Sequence, residues 1–173
     1  MIDQSIVRSI RMLVCDVDGV LTDGGLYYDD LGRVSKRFHV QDGLGIKLAQ
    51  AAGLEVGLTT GLESEAVRLR ALELGIREYH AGSRNKASLI QAICRRNDLR
   101  PTQLAYLADD WVDASALKLV GLPMAVQNAQ PEVKRLCSWI AERCGGQGAV
   151  REAICFILQA QGKLDALWRQ WAE

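Results

Sequence analysis

Met12-Leu-Val-Cys15-Asp16-Val17-Asp18-Gly19 is the stretch on which the reading of this chain turns. Four apolar residues of strand character run into two acids at alternate positions, and a glycine follows. Short β-branched or apolar runs of the same kind recur at 55–59, 78–81, 105–107, 123–126 and 138–141. Longer amphipathic stretches separate them, at 44–52, 64–74, 86–97, 114–119 and 132–136. Gly53, Gly75 and Gly121 stand where these helices should stop. Strand–helix alternation implies parallel strands joined by right-handed crossovers. The expected fold is therefore α/β, a three-layer α/β/α Rossmann-like sandwich on a parallel sheet.

Two regions break the alternation. Residues 26–40 read as a β-hairpin, with Tyr27, Tyr28, Val34 and Phe38 on its arms and Asp29-Asp30-Leu31-Gly32 at its turn. From Gly148 onward the chain reads as one long helix whose apolar side is Val150, Ile154, Ile157, Leu158, Leu164 and Leu167, with Gly162 as its weak point. No repeat, low-complexity tract or linker interrupts the sequence, so residues 1–173 are expected to form a single domain.

Composition narrows the partners. Lys plus Arg and Asp plus Glu number 21 each, so no overall field draws nucleic acid or anionic lipid. The five cysteines (Cys15, Cys94, Cys137, Cys144 and Cys155) include no CxxC pair, which speaks against a zinc site or a disulfide framework. The first residues lack the pattern of a signal peptide, and no run of ~18 apolar residues is present to span a membrane. The expectation is a soluble, cytoplasmic protein that engages neither nucleic acid nor membrane.

In open α/β sheets, ligands bind beyond the carboxyl ends of the strands. The first strand delivers Asp16, Val17, Asp18 and Gly19 there, the second Thr60 and Gly61, and the fourth Asp109, Asp110, Trp111 and Asp113. Lys86 opens the helix after the third strand, next to Asn85. This set suits attack on a phosphomonoester, which repels anions until its own charge is neutralised. Asp16 and Asp109 offer hard oxygen ligands for Mg²⁺. Lys86, the Thr60 hydroxyl and the N–H groups near Val17 and Gly61 can hold phosphoryl oxygens. Asp16 is then placed to attack, and Asp18 to protonate the leaving oxygen and later activate water. Gly19 permits the tight turn that admits the substrate to the backbone. Taken singly, each piece has a plainer reading: a DxD is often a turn, Asp109-Asp110 can cap a helix, and most lysines are solvated. Their order at successive strand ends is the specific feature.

Asp16-Val-Asp-Gly-Val-Leu-Thr-Asp23, Thr60-Gly61, Asn85-Lys86 and Asp109-Asp110-x-x-Asp113 resemble the four signature motifs of the haloacid dehalogenase-like phosphatases. The likeness runs over nearly the whole chain to one branch, the 3-deoxy-D-manno-octulosonate 8-phosphate (KDO 8-phosphate) phosphatases. It is carried there by Phe38-His-Val-Gln-Asp-Gly-Leu-Gly-Ile46, Gly145-Gly-Gln-Gly-Ala-Val-Arg-Glu152 and Ala160-Gln-Gly-Lys-Leu-Asp165. The resemblance implies a Mg²⁺ enzyme, usually a homotetramer, that acts on a small phosphomonoester in lipopolysaccharide precursor synthesis. It implies Asp16 as nucleophile, Asp18 as acid/base with its carbonyl on the metal, Asp109 as a ligand, and Asp110 and Asp113 as acids supporting the metal. It also implies phosphate or substrate contacts at Val17, Gly19, Gly61 and Asn85.

Larger relatives insert a cap domain, but the stretch from Gly19 to Thr59 is already filled by the hairpin and one helix. No cap is expected, and a neighbouring subunit is the economical cover for the site. Typical members carry Arg where this chain has Gln41, Leu62 and Gln147, and Gly where it has Ala108. Neither Leu nor Gln replaces a bidentate guanidinium, so the residues of specificity differ while the catalytic set is intact. Leu62 and Trp111 offer apolar surface for a different ester, such as an aromatic one. A relative in this branch is the small subunit of phenylphosphate carboxylase. A non-catalytic subunit that retains the fold is a further alternative. A signalling receiver domain shares the acidic cluster, but its phosphoacceptor lies on the third strand.

Overall fold

The computed structural model describes residues 2–83 and 85–172. In chain order its elements are α1 (Gln4–Ser9), β1 (Met12–Asp16), β2 (Tyr27–Tyr28), β3 (Val34–Ser35), α2 (Val40–Ala51), β4 (Glu55–Thr59), α3 (Glu65–Leu74) and β5 (Glu78–His80). They continue as α4 (Lys86–Arg96), β6 (Leu104–Ala108), α5 (Ala114–Leu117), β7 (Leu122–Ala125), α6 (Pro131–Leu136), β8 (Trp139–Ile140), α7 (Ala149–Ala160) and α8 (Leu164–Ala172). Every residue of β1 is buried, as an apolar strand in the middle of a covered sheet must be.

Six strands pair in the order β5-β4-β1-β6-β7-β8, all parallel. The chain builds to one side of β1 through β4 and β5, then returns to build the other side from β6 onward. That reversal puts a topological switch point at the carboxyl end of β1, where open sheets hold their ligands. Register keeps the strand ends level. Asp16 pairs with Thr59, Thr59 with His80, and Ala108 with Ala125.

The helices cover the sheet through apolar stripes. On α7 the buried residues Val150, Ala153, Ile154, Ile157 and Leu158 recur at spacings of one helical turn. Its N-terminus is capped from another helix. The fully buried Asp42, in the first turn of α2, accepts from Arg151 N at 2.8 Å and Gly148 N at 3.3 Å. Gly45 of α2 lets the two helices close, since a Cβ there would press on Arg151.

The parallel sandwich matches the expectation from sequence, and several boundaries differ for identifiable reasons. Helix α2 begins at Val40 rather than at 44. Glycine lowers helix propensity, yet Gly43 and Gly45 are needed where Arg70 and Arg151 pack against the helix. The hairpin closes sooner than 26–40. Its strands are two residues each, and Phe38 forms an antiparallel bridge with Thr22 instead of lying on an arm. Its turn is where expected, with Asp29 Oδ1 accepting from Leu31 N and Arg33 N at 3.0 and 2.8 Å. The tail is two helices, not one. Gly162 takes a left-handed φ of 69°, and Lys163 N donates to Leu158 O, which ends α7. Helix α1, capped by Asp3, was not expected. All five cysteines are free, and no described helix is long and apolar enough to cross a membrane.

The cross-element cap generates a test. Asp42→Ala strands two buried N–H groups at the start of α7 and should cost about 1–3 kcal/mol. The expected result is a lower urea midpoint at unchanged slope. An unchanged midpoint would mean that the cap is not used.

Candidate active site

Asp16 is the last residue of β1 and Lys86 the first of α4, and both side chains are almost wholly buried. Lysine is rarely buried unless it is paired. The Lys86 ammonium donates to Asp16 Oδ1 at 2.7 Å and Thr59 Oγ1 at 3.1 Å, and lies 3.6 Å from Asp113 Oδ1. Asn85 caps α4 by accepting from Ser88 N at 3.1 Å, which fixes the turn that delivers Lys86. Behind the lysine, the buried Tyr106 hydroxyl spans Thr59 Oγ1 at 2.9 Å and Asp113 Oδ1 at 2.7 Å.

After Asp16 the chain makes a wide turn, with Thr22 N on Val17 O at 3.0 Å. Gly19 sits in it at φ 88°, where a Cβ would overlap the Asp109 carboxylate. Only glycine meets both demands. The buried Thr22 hydroxyl binds Val17 O at 3.2 Å and accepts from Gly24 N at 3.3 Å, which holds the turn closed. Asp18, within this turn, receives the Thr60 hydroxyl on Oδ2 at 3.1 Å. Its Oδ1 pairs with the ammonium of Lys36, from the second arm of the hairpin.

Of the expected acids, Asp16, Asp109 and Asp113 converge, with one oxygen from each within 4.8 Å of the others. Asp110 does not join them. It is exposed and accepts from Trp111 N at 2.6 Å, capping the short turn at 111–113. Burial and the neighbouring charges of Asp113 and Asp110 push Asp109 up to about 7. Burial and Asp113 likewise push Asp16 up, against the pull of Lys86. The buried Asp113 Oδ2 has no hydrogen-bond partner among the described residues. Crowded carboxylates with an orphaned oxygen fit a hard divalent cation held by oxygen ligands.

The residues of expected specificity lie at the rim. Leu62 is 56% exposed and Trp111 65%, with the Trp111 indole on Glu132 at 3.2 Å. Gln41 and Gln147 are exposed, and Gln41 lies beside Gly148. Gly61 borders open space, and Val17 is buried in the turn. The Gly145-Gly146 turn packs on the Gly19–Asp23 backbone, with Gly146 N on Val20 O at 2.9 Å. Lys36, Thr22 and Tyr106 were not singled out from sequence, and Thr59 was placed at its strand end without a role. Each acts through a partner remote in sequence or through turn geometry, and only Thr22, inside the first motif, carried a local signal.

Residues 78–154 match the family described as haloacid dehalogenase-like hydrolase. The 3-deoxy-D-manno-octulosonate 8-phosphate phosphatase KdsC of Escherichia coli (strain K12) is 38% identical over 158 residues, covering 91% of this chain and 84% of that protein. The phosphatase of the same name from Haemophilus influenzae is 39% identical over 160 residues, 92% of this chain and 89% of that one. Among solved structures, the 3-deoxy-D-manno-octulosonate 8-phosphate phosphatase from Moraxella catarrhalis, in complex with magnesium, phosphate and KDO, superposes with a TM-score of 0.95. It is 32% identical and covers 97% of each chain.

The acid cluster fixes the sign of a pH effect. A carboxyl whose folded value is raised contributes stability at low pH and loses it as pH climbs through the folded value. For Asp109 that window runs from 3.8 to about 7. Metal-free protein should therefore lose more stability across this window than Asp109→Asn does. An added divalent cation should raise the melting temperature more at pH 8 than at pH 5, and far less in the variant. Equal shifts in both proteins would remove Asp109 from the cation site.

Proposed function

The chain belongs to the haloacid dehalogenase-like hydrolases, in the branch of the KDO 8-phosphate phosphatases, and from that premise we propose that it is a Mg²⁺-dependent phosphomonoesterase with Asp16 as nucleophile. The observation that carries the reading is the buried Asp16–Lys86 pair at the switch point, with the partnerless Asp113 oxygen beside it.

In this reading Lys86 holds Asp16 Oδ1, which orients the other carboxylate oxygen toward phosphorus. Bond formation from Asp16 to phosphorus accompanies cleavage of the ester P–O bond, and Asp18 gives its proton to the departing oxygen. The aspartyl-phosphate is then cleaved by a water that Asp18 deprotonates, which releases phosphate and restores Asp16. Asp16, Asp109 and the Asp18 carbonyl would hold Mg²⁺, with Asp113 behind them, and the ion would supply charge neutralisation at the phosphoryl oxygens. Thr60 steadies Asp18 and, with the N–H groups of Val17 and Gly61, stands on the phosphoryl side.

The substrate we propose is KDO 8-phosphate or a related acidic sugar phosphate, with lipopolysaccharide precursor synthesis in the cytoplasm as its setting. The names of the relatives and their coverage of both chains support this. The exposed Leu62 and Trp111 favour a second reading, an aromatic or otherwise apolar ester. A homotetramer is part of the proposal. Leu26, Tyr28, Leu31 and Val34 are exposed on a hairpin too small to stand alone, and a neighbouring subunit would cover them.

Two experiments test this. With Mg²⁺, wild type should hydrolyse KDO 8-phosphate faster than phenyl phosphate, and EDTA should abolish turnover. Asp16→Asn should lower kcat by roughly three or more orders of magnitude while circular dichroism shows the fold retained. A variant that keeps about a tenth of kcat would refute the nucleophile assignment. In sedimentation, wild type should run as a tetramer at micromolar concentration, and Tyr28→Asp with Leu31→Asp should dissociate it. A monomeric wild type would remove the tetramer.

A further inference from the structure

Asp16 and Asp18 are each met by a lysine, and the two lysines come from opposite directions. Lys86 enters from the first turn of α4 and holds Asp16. Lys36 enters from the hairpin and pairs with Asp18, with only 4% of its side chain exposed. The neighbouring residues fix where it sits. Arg37 Nη1 donates to Gly146 O at 3.0 Å and approaches Asp23 at 3.8 Å, and Phe38 bridges Thr22. Three consecutive residues thus tie the base of the hairpin to the turn that carries Asp18. Lys36 is the member of the three whose charge is turned inward.

We infer that Lys36 is a specificity-determining residue, which binds an anionic group of the substrate on the far side of the ester. The inference rests on the phosphatase reading, in which Asp16 takes the phosphoryl group and Asp18 faces the leaving oxygen. The ammonium beside Asp18 then lies on the leaving-group side, while Lys86 lies on the phosphoryl side. Lys36 has three N–H donors, and the carboxylate of Asp18 is the partner found for it. Buried ammonium protons call for acceptors, and a carboxylate carried by the leaving group provides them. Gln41, Leu62 and Gln147 carry no charge, and the buried Lys36 ammonium is placed to make this contact. The ligand class is a sugar phosphate with a carboxylate in the alcohol portion.

The test compares kcat/KM for KDO 8-phosphate with that for ribose 5-phosphate, which lacks the carboxylate. Both substrates use Asp18, so the ratio cancels what a Lys36 variant does to Asp18 or to the hairpin. Wild type should prefer the acidic substrate. Lys36→Met should lower the ratio by about tenfold or more, chiefly through KM for the acidic substrate, and Lys36→Arg should keep most of it. Lys36→Gln, which keeps a donor for Asp18 without the charge, should also lower the ratio and serves if the methionine variant does not fold. An unchanged ratio in Lys36→Met or Lys36→Gln, even with both activities reduced, would make Lys36 a structural anchor and overturn the inference. No preference in wild type would overturn it too. A wild type that hydrolyses neither ester overturns the acidic sugar phosphate reading, and the inference with it.

Discussion

The Lys86 ammonium, buried among Asp16, Asp113 and Thr59, is the interaction on which the rest of the site depends. Removing a charge from water costs several kcal/mol, and only close, well-oriented partners offset it. Those partners come from two strands and the turn after a third. Asp16 ends β1, Thr59 ends β4, and Asp113 follows β6. The lysine is satisfied only when β4, β1 and β6 are side by side with their ends level, as the register places them. Tyr106 joins the two sides by bonding Thr59 and Asp113 at once. The fold and the site are thus specified by the same contacts.

What sequence made legible follows from how local each signal is. The strand at 12–16 announces itself by an apolar run that ends in acids, and Asp16, Asp18, Lys86 and Asp109 could be placed because each adjoins a strand end or a helix start. Asp42 and Tyr106 were not legible. Asp42 caps a helix more than a hundred residues away, and Tyr106 is indistinguishable from any core tyrosine until its hydroxyl partners are known. Asp110 and Asp113 are equivalent within the motif. The short turn at 111–113 sends one to solvent and the other to the cluster, a distinction of backbone geometry rather than of residue type. The first turn of α2 was not legible for a related reason. Propensity marks glycine as a helix breaker, whereas here its missing Cβ lets α2 accept the side chains of Arg70 and Arg151.

The surroundings of the site explain how a chain without a cap encloses it. The hairpin base is tied on through Lys36, Arg37 and Phe38, and the Gly145-Gly146 turn packs against the same backbone from the C-terminal side. Arg37 links the two by donating to Gly146 O. Segments far apart in the chain therefore hold one short turn in place, and a displacement of either would be felt at Asp18.

Charge balance connects this enclosure to substrate choice. Asp16, Asp18, Asp109 and Asp113 face two ammoniums, Lys86 and Lys36, so with all four acids ionised two negative charges stay uncompensated. Without a cation the protein answers by protonation, which is why burial and like charge raise Asp109 and Asp16. A divalent ion held by these acids would close the balance. In the proposed reaction a phosphate ester would bring further negative charge to a site where both described ammoniums are already paired. In the proposed binding mode a second anionic group on the substrate turns to Lys36 on the hairpin side. The two lysines thus sit on opposite sides of the same aspartate pair, Lys86 holding Asp16 and Lys36 holding Asp18.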